Sequence, residues 1–96
     1  MPHVMAVLNV EDADRWMGQF NSEESRAERK SHGEVGYQIF SVADQPNVLV
    51  LLCEFQDMAR LQAFMASDTL RDFQQQSGVL GKPEVYLFSG VEQGTP

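Results

Sequence analysis

The sequence predicts an α+β domain with the element order β-α-β-β-α-β, in which two helices cover one face of a four-stranded antiparallel sheet. Three observations lead to this prediction. Short apolar runs typical of strands lie at residues 4–10, 35–42, 48–55 and 85–88. Two longer stretches, 13–30 and 58–76, repeat apolar residues at helical spacing. Turn and capping residues separate these segments.

The first predicted strand spans residues 3–10 and is apolar at nearly every position. We expect Asp12 or Asp14 to cap the helix that follows, because a carboxylate accepts hydrogen bonds from the free amides of the first turn. The inward stripe of this helix consists of Ala13, Trp16, Met17, Phe20 and Ala27. Gly33 is suited to end the helix in a left-handed conformation.

The second half of the chain repeats the pattern after a hairpin loop at residues 43–47. Asp57 is expected to cap the second helix, and Ser67 with Asp68 indicates a break and a fresh cap within it. Residues 81–83, Gly-Lys-Pro, lead into the last strand.

The chain of 96 residues is short enough to form one domain, which we place at residues 1–90, with a flexible tail at 91–96. The third strand is continuously apolar from residue 48 to 53, as expected of a strand buried on both faces. Two helices cover only one face, so the sequence predicts a homodimer that buries the other. The alternative is a central strand whose outward apolar residues are tolerated at the surface.

Composition excludes several classes of function. A net charge of −7 would repel a nucleic-acid backbone, and the basic residues Arg26, Arg29 and Lys30 alternate with glutamates in the manner of a solvated helix face. We expect no membrane association, because no apolar run is long enough for a span, and no signal peptide, because the N-terminus lacks a basic leader. The single cysteine, Cys53, lies in an apolar strand, which favours a buried thiol and a cytoplasmic location.

Four segments, at residues 3–16, 48–55, 64–71 and 78–86, resemble the dimeric α+β barrel superfamily, and the likeness spans residues 3–88. It is strongest to small bacterial members of cyclase-like or antibiotic-biosynthesis-monooxygenase type. The resemblance implies a ferredoxin-like fold, a homodimer whose sheets face each other, and a cavity between each sheet and its helices. Its motifs are packing and capping signals, so they speak to fold more than to chemistry.

The superfamily includes monooxygenases that oxidise activated aromatic substrates without metal or flavin, and haem-degrading enzymes. The haem enzymes carry an asparagine on the first strand, a tryptophan on the second helix and a histidine ligand. Asn9 matches the asparagine by position, whereas Phe64 and Phe73 stand where the tryptophan and the histidine would be. The resemblance therefore implies no haem, and we expect no cofactor.

Polar and aromatic residues on these elements are the candidates for ligand binding. Asn9, Gln38 and Glu54 interrupt apolar strands, where a buried polar group needs a partner. Tyr37 and Tyr86 could add hydroxyl groups. Flat pocket walls could come from Trp16, Phe20, Phe40, Phe64 and Phe73. The alternative is that the polar residues are solvated near strand ends and the aromatics form a plain core; for Asn9 we favour a structural bond at the entrance to the first helix.

His32 and Glu54 are the candidates for moving a proton in catalysis. The alternative for His32 is a purely structural role as a helix C-terminal cap. The alternative for His3 is a residue at the end of a strand with no role in chemistry. The two histidines form no ligand spacing with each other or with Cys53, so we expect no metal. The glycines match neither phosphate-binding pattern.

Two hypotheses follow from the sequence. The first is a domain that binds a small apolar or aromatic molecule between sheet and helices, with cofactor-free oxidation or cyclisation as its chemistry. The second is a non-catalytic homodimer, structural or ligand-sensing, whose core is filled by its own side chains. A pocket of about 300 Å3 or more beside Asn9, Trp16 and Phe64 would distinguish them.

Overall fold

A computed structural model describes residues 1–96 of the chain. Eight elements follow one another along the chain: β1 (His3–Val10), α1 (Ala13–Phe20), α2 (Glu23–Ser31), β2 (Glu34–Val42), β3 (Gln45–Phe55), α3 (Met58–Met65), α4 (Asp68–Gln76) and β4 (Val79–Phe88). The four strands form one antiparallel sheet in the order β2-β3-β1-β4. This arrangement confirms the ferredoxin-like α+β fold that the sequence predicts.

Side-chain capping divides each predicted helix into two. Ser67 caps α4 by accepting a hydrogen bond from the Leu70 amide at 3.3 Å, as the sequence indicates. The break in the first helix, at Asn21 and Ser22, was not predicted. There, the Ser22 hydroxyl accepts from the Ser25 amide at 3.2 Å, and Ser22 thereby becomes the N-cap of α2.

Capping residues elsewhere follow the sequence prediction. Asp12 caps α1 by accepting hydrogen bonds from the amides of Asp14 and Arg15 at 3.0 and 3.2 Å. Asp57 caps α3. Gly33 follows α2 with a φ of +94°, the left-handed conformation expected there.

Two strands are longer than predicted. β3 begins at Gln45, so that the hairpin turn contracts to residues 43–44. β4 begins at Val79 and continues through the Gly-Lys-Pro segment, which we had expected to be a connection. A shift in the β1–β4 register between Val7 and Asn9 and a φ of +67° at Gly81 accommodate this segment within the sheet.

The sheet has one covered and one open face. All four helices pack on the covered face, where Val4, Leu8, Leu49 and Cys53 are buried with aromatic residues of the helices. The strand register places a second apolar set on the open face: Met5, Val7, Phe40, Val48, Val50, Leu52, Tyr86 and Phe88. These side chains are half-buried or exposed, with Phe40 49 % exposed. The two-sided apolar strands of the sequence therefore correspond to two apolar sheet faces.

None of the helices is both long and apolar enough to cross a membrane.

Candidate functional site

A cavity of about 630 Å3 lies between the covered face of the sheet and the helices. Strand residues Ala6, Leu8, Leu51, Cys53 and Val85 form part of its floor. Trp16 and Phe64, which we expected beside a pocket, line it, and Asn9 does not. Its volume lies within the range of small-molecule sites, about 300–1,000 Å3.

Aromatic rings form much of the cavity wall. Trp16 and Phe20 of α1 stack with their centroids 4.9 Å apart, and Phe73 of α4 meets both rings edge-on at 6.1 Å. Phe64 of α3 lies on the same cavity and is packed from behind by Phe55 at 5.5 Å. Four of the predicted aromatic residues thus surround one space, and their mutual packing fixes their orientation.

The Trp16 indole N–H is a buried donor without an acceptor. The residue is 1 % exposed, and its Nε1 atom makes no hydrogen bond within the chain. Most buried polar groups in proteins have a partner. This atom is therefore unusual among the groups at the cavity.

Arg29 of α2 is a buried cation at the edge of the same cavity. It is 5 % exposed, its guanidinium lies 3.6 Å from the Phe20 ring centroid, and its Nε donates to the Glu34 carboxylate at 2.5 Å. Nη1 donates to the Phe20 carbonyl and to the Ser25 hydroxyl. The solvated-face interpretation is therefore wrong for Arg29.

Burial governs the ionisation of two groups beside this arginine. Desolvation raises the pKa of Glu34 above its ordinary value, although the Arg29 charge and hydrogen bond partly oppose the shift. Burial, with a further contribution from the Glu34 charge, raises the pKa of Cys53 to about 12. Cys53 is therefore a neutral thiol at physiological pH and a poor nucleophile, which agrees with the structural role predicted for it.

His32, one of the two predicted proton-transfer residues, lies next to the cavity without lining it. Its Nε2 atom is 3.2 Å from a Glu28 carboxylate oxygen, and its ring packs on Phe64 with the centroids 5.4 Å apart. Glu28 and Phe64 both line the cavity. His32 is also the C-cap residue of α2, which is the structural role that the sequence offered as the alternative.

Other predicted residues lie on the open face, away from the cavity. The register places Asn9, Gln38, Phe40, Glu54 and Tyr86 there. Glu54 pairs with His3 Nε2 at 3.1 Å, while His3 Nδ1 is buried without a partner. The sequence signal, a polar residue within an apolar strand, identified strand residues correctly but gave no information about which sheet face held the cavity.

Tyr37 lies behind the aromatic wall. Its ring meets Phe20 edge-on at 5.1 Å, and its hydroxyl donates to Asn21 Oδ1. It lies on the covered face without lining the cavity.

The bond that we expected from Asn9 at the entrance to the first helix is made by another asparagine. Asn47 Oδ1 accepts a hydrogen bond from the Ala13 amide at 3.1 Å, whereas the Asn9 side chain is exposed and bonds to no other residue. Asn47 lies near the start of β3, and the next residue, Val48, pairs with Asn9, so both asparagines lie at the same end of the sheet.

The sequence interpretation missed Glu28 and Arg29, which both line the cavity. Ser22, Ser25 and Arg29 lie at spacings of three and four, but they are out of phase with the inward stripe of α1, which ends at Phe20. The break between α1 and α2 changes the phase, so helical spacing alone did not identify Arg29. No group of three or more His, Cys, Asp or Glu side chains is arranged to hold a metal ion, and the absence of a metal remains a prediction.

Comparison with known proteins gives a match of fold. No protein-family model and no curated protein matches the chain. Solved structures do match. An antibiotic biosynthesis monooxygenase is 19 % identical with a TM-score of 0.71, and the alignment covers 96 % of this chain and 100 % of that one. SnoaB, a cofactor-independent oxygenase from Streptomyces nogalater, is 14 % identical with a TM-score of 0.69, covering 96 % and 94 %.

A third structure, from Caulobacter crescentus CB15 and described as a candidate antibiotic biosynthesis monooxygenase, is 19 % identical with a TM-score of 0.72. That alignment covers 95 % of this chain and 90 % of the other. At these identities the matches confirm the fold expected from the resemblance, over nearly the whole chain.

Proposed function

We propose that this protein binds a flat aromatic molecule in the cavity between sheet and helices and oxidises it with dioxygen, without a cofactor. The observation that carries the proposal is the cavity of about 630 Å3 walled by Trp16, Phe20, Phe64 and Phe73. Support comes from similarly folded proteins named as antibiotic biosynthesis monooxygenases, one of them a cofactor-independent oxygenase. A cavity of this size favours the first hypothesis over a core filled by its own side chains.

The working form that we propose is a cytoplasmic homodimer. The apolar open face supports the dimer, because an isolated chain would leave Phe40, Tyr86 and Phe88 in contact with water. The unpaired, buried Cys53 suits a reducing compartment.

Anthrone is a suitable test substrate, because its methylene proton is acidic and the resulting enolate reacts with oxygen. In the proposed reaction Glu28 accepts a methylene proton, and the enolate is oxidised by dissolved O2. One oxygen atom becomes the new carbonyl of anthraquinone and the other leaves as water. Glu28 lines the cavity, and His32 positions its carboxylate from 3.2 Å. Glu54 lies on the opposite face and has no role in this scheme.

Oxygen uptake measured against the uncatalysed rate tests the proposal, with one O2 consumed for each anthraquinone formed. Ala6→Leu, which places a larger side chain in the cavity, should reduce the catalysed rate. Ala63→Leu, at an exposed position of α3 outside the cavity, should not. An unaccelerated rate for the wild-type protein would contradict the oxidase activity.

A non-catalytic binding protein is the second candidate. The observation that favours it is that the two ionisable groups at the buried end of the cavity are unavailable for proton transfer: Cys53 is a neutral thiol and Arg29 is engaged by Glu34. Glu28→Gln distinguishes the two. We expect it to lower the oxidation rate about 10²-fold or more while leaving the affinity for fluorene, a non-reactive tricyclic hydrocarbon, unchanged. Fluorene binding without any oxygen uptake would favour the second candidate.

A further inference from the structure

We propose that the Trp16 indole N–H is the hydrogen-bond donor of this cavity, and that it selects aromatic ligands carrying an uncharged oxygen acceptor such as a ketone. This inference rests on the proposed function, because it requires that the cavity binds an aromatic molecule. It identifies Trp16 as the residue that hydrogen-bonds to the oxygen atom of that molecule.

The first argument is the unpaired donor itself. Trp16 is 1 % exposed, lines the cavity, and leaves Nε1 without an acceptor. An amphipathic ring in a core ordinarily satisfies its N–H. Nε1 is itself covered by neighbouring atoms, so a ligand in the cavity must displace them to accept its hydrogen bond.

The second argument is that the ring is fixed. Phe20 stacks on it at 4.9 Å and Phe73 packs edge-on at 6.1 Å. Both neighbours also line the cavity. Packing on these two sides opposes rotation of the indole toward a protein acceptor, so the acceptor has to come from the ligand.

The third argument concerns charge. Arg29 is the only lysine or arginine at the cavity. Its guanidinium already donates hydrogen bonds to Glu34, Ser25 and the Phe20 carbonyl. The exposed carboxylates of Glu24 and Asp72 also line the cavity. With no free cation and the carboxylates of Glu24, Glu28 and Asp72 at the cavity, the site disfavours ligands that bind as anions, and the acceptor of the bound ligand is expected to be neutral.

Fluorenone and fluorene test the inference, because they share a ring skeleton and differ by a ketone in place of a methylene group. Trp16 is the only tryptophan, so its indole N–H gives a single, readily identified NMR signal. We expect fluorenone to move this signal downfield through hydrogen bonding. Fluorene serves as the control for ring-current effects, and it should leave the signal without that downfield component.

Affinities provide the second readout, with Trp16→Phe as the variant that keeps an aromatic ring and removes the N–H. We expect Trp16→Phe to weaken fluorenone binding about tenfold more than fluorene binding, equivalent to about 1.4 kcal/mol. The ratio of the fluorenone and fluorene dissociation constants is measured for each protein. Comparing this ratio between the wild-type protein and Trp16→Phe cancels the difference in hydrophobicity between the two ligands.

The outcomes separate the two proposals. If the wild-type protein binds both ligands but the NMR shifts and the affinity ratio show no ketone effect, the role of Trp16 is overturned and the binding function stands. If neither ligand binds, the proposed function fails and the inference fails with it. Should Trp16→Phe not fold, the NMR comparison on the wild-type protein decides.

Discussion

At the scale of single residues, Arg29 shows how a charge can be part of the core. Phe20 and Tyr37 flank its guanidinium, with centroids 3.6 and 5.0 Å away, and Glu34 neutralises it. Both side chains of the ion pair are about 5 % exposed. Removing one member would leave the other charged and buried, whereas replacing both with apolar groups removes the desolvation penalty as well.

We therefore expect Arg29→Met to lower the free energy of unfolding by about 3–5 kcal/mol. The double variant Arg29→Met/Glu34→Leu should be more stable than Arg29→Met alone. Chemical denaturation at one protein concentration measures both. A double variant as unstable as the sum of its single variants would contradict the pairing.

Glu34 predicts a pH dependence of stability. Its pKa is raised in the folded protein above an ordinary value of 4.5, so the folded state holds this proton more tightly than the unfolded state does. Its contribution to stability is fully present below the unfolded pKa and is lost as the pH rises through the folded pKa. The free energy of unfolding of the wild-type protein, measured relative to that of Glu34→Gln, should thus fall as the pH rises above about 4.5 and then level off. A rise over that range would contradict the direction of the shift.

The two asparagines at the ends of β1 and β3 differ in their contribution. Asn47→Ala should lower the free energy of unfolding by about 0.5–1.5 kcal/mol, because it removes the bond to the Ala13 amide. Asn9→Leu should change it by no more than about 0.5 kcal/mol and leave fluorene affinity unchanged, since Asn9 is exposed on the open face. Weaker fluorene binding by Asn9→Leu would contradict the placement of the site.

At the scale of elements, the sequence predicted what local chemistry determines. Nearby backbone amides determine the helix caps at Asp12, Asp57 and Ser67. A positive φ, which favours glycine, determines the turn at Gly33 after α2. The start of β4 was missed because Gly-Lys-Pro is typical of a turn, and only pairing with β1 holds it in the sheet. The sequence pattern also could not assign residues to the covered or the open face, because alternation does not show which face the helices cover when both faces are apolar.

Two glycines, one directly after the C-cap of α2 and one within α1, should respond in opposite directions to alanine. Gly33→Ala should cost about 1–2 kcal/mol because of its positive φ, and its Cβ would come within 2.8 Å of the Arg60 Cδ atom. Gly18→Ala lies within α1, where nothing is within 4 Å of a Cβ, and should increase stability by about 0.5–1 kcal/mol. Thermal unfolding of both variants provides the measurement; equal effects would contradict the assigned backbone geometry.

At the scale of the whole molecule, the sheet separates two apolar regions. The covered face holds the cavity, and the open face offers Val50, Leu52 and their neighbours to a second copy of the chain. The sequence anticipated both regions from its continuously apolar strands, but the cavity depends on how the four helices pack, which local patterns do not specify.

We expect sedimentation at micromolar concentration to give about twice 10.8 kDa. Val50→Glu should shift the protein toward monomer, because it introduces a charge into the open face. Lys30→Glu, at an exposed position of α2, serves as the control and should not. A wild-type protein that sediments as a monomer would contradict the homodimer.

The most direct measurement of the central claim is the location of a bound aromatic molecule. A crystal soaked with 2-bromofluorenone allows the bromine to be found by its anomalous scattering. We expect the ligand to lie between Trp16, Phe64 and Phe73, within the cavity. A cavity that stays empty at saturating ligand, or bromine found only on the open face of the sheet, would contradict the claim that this cavity is the binding site.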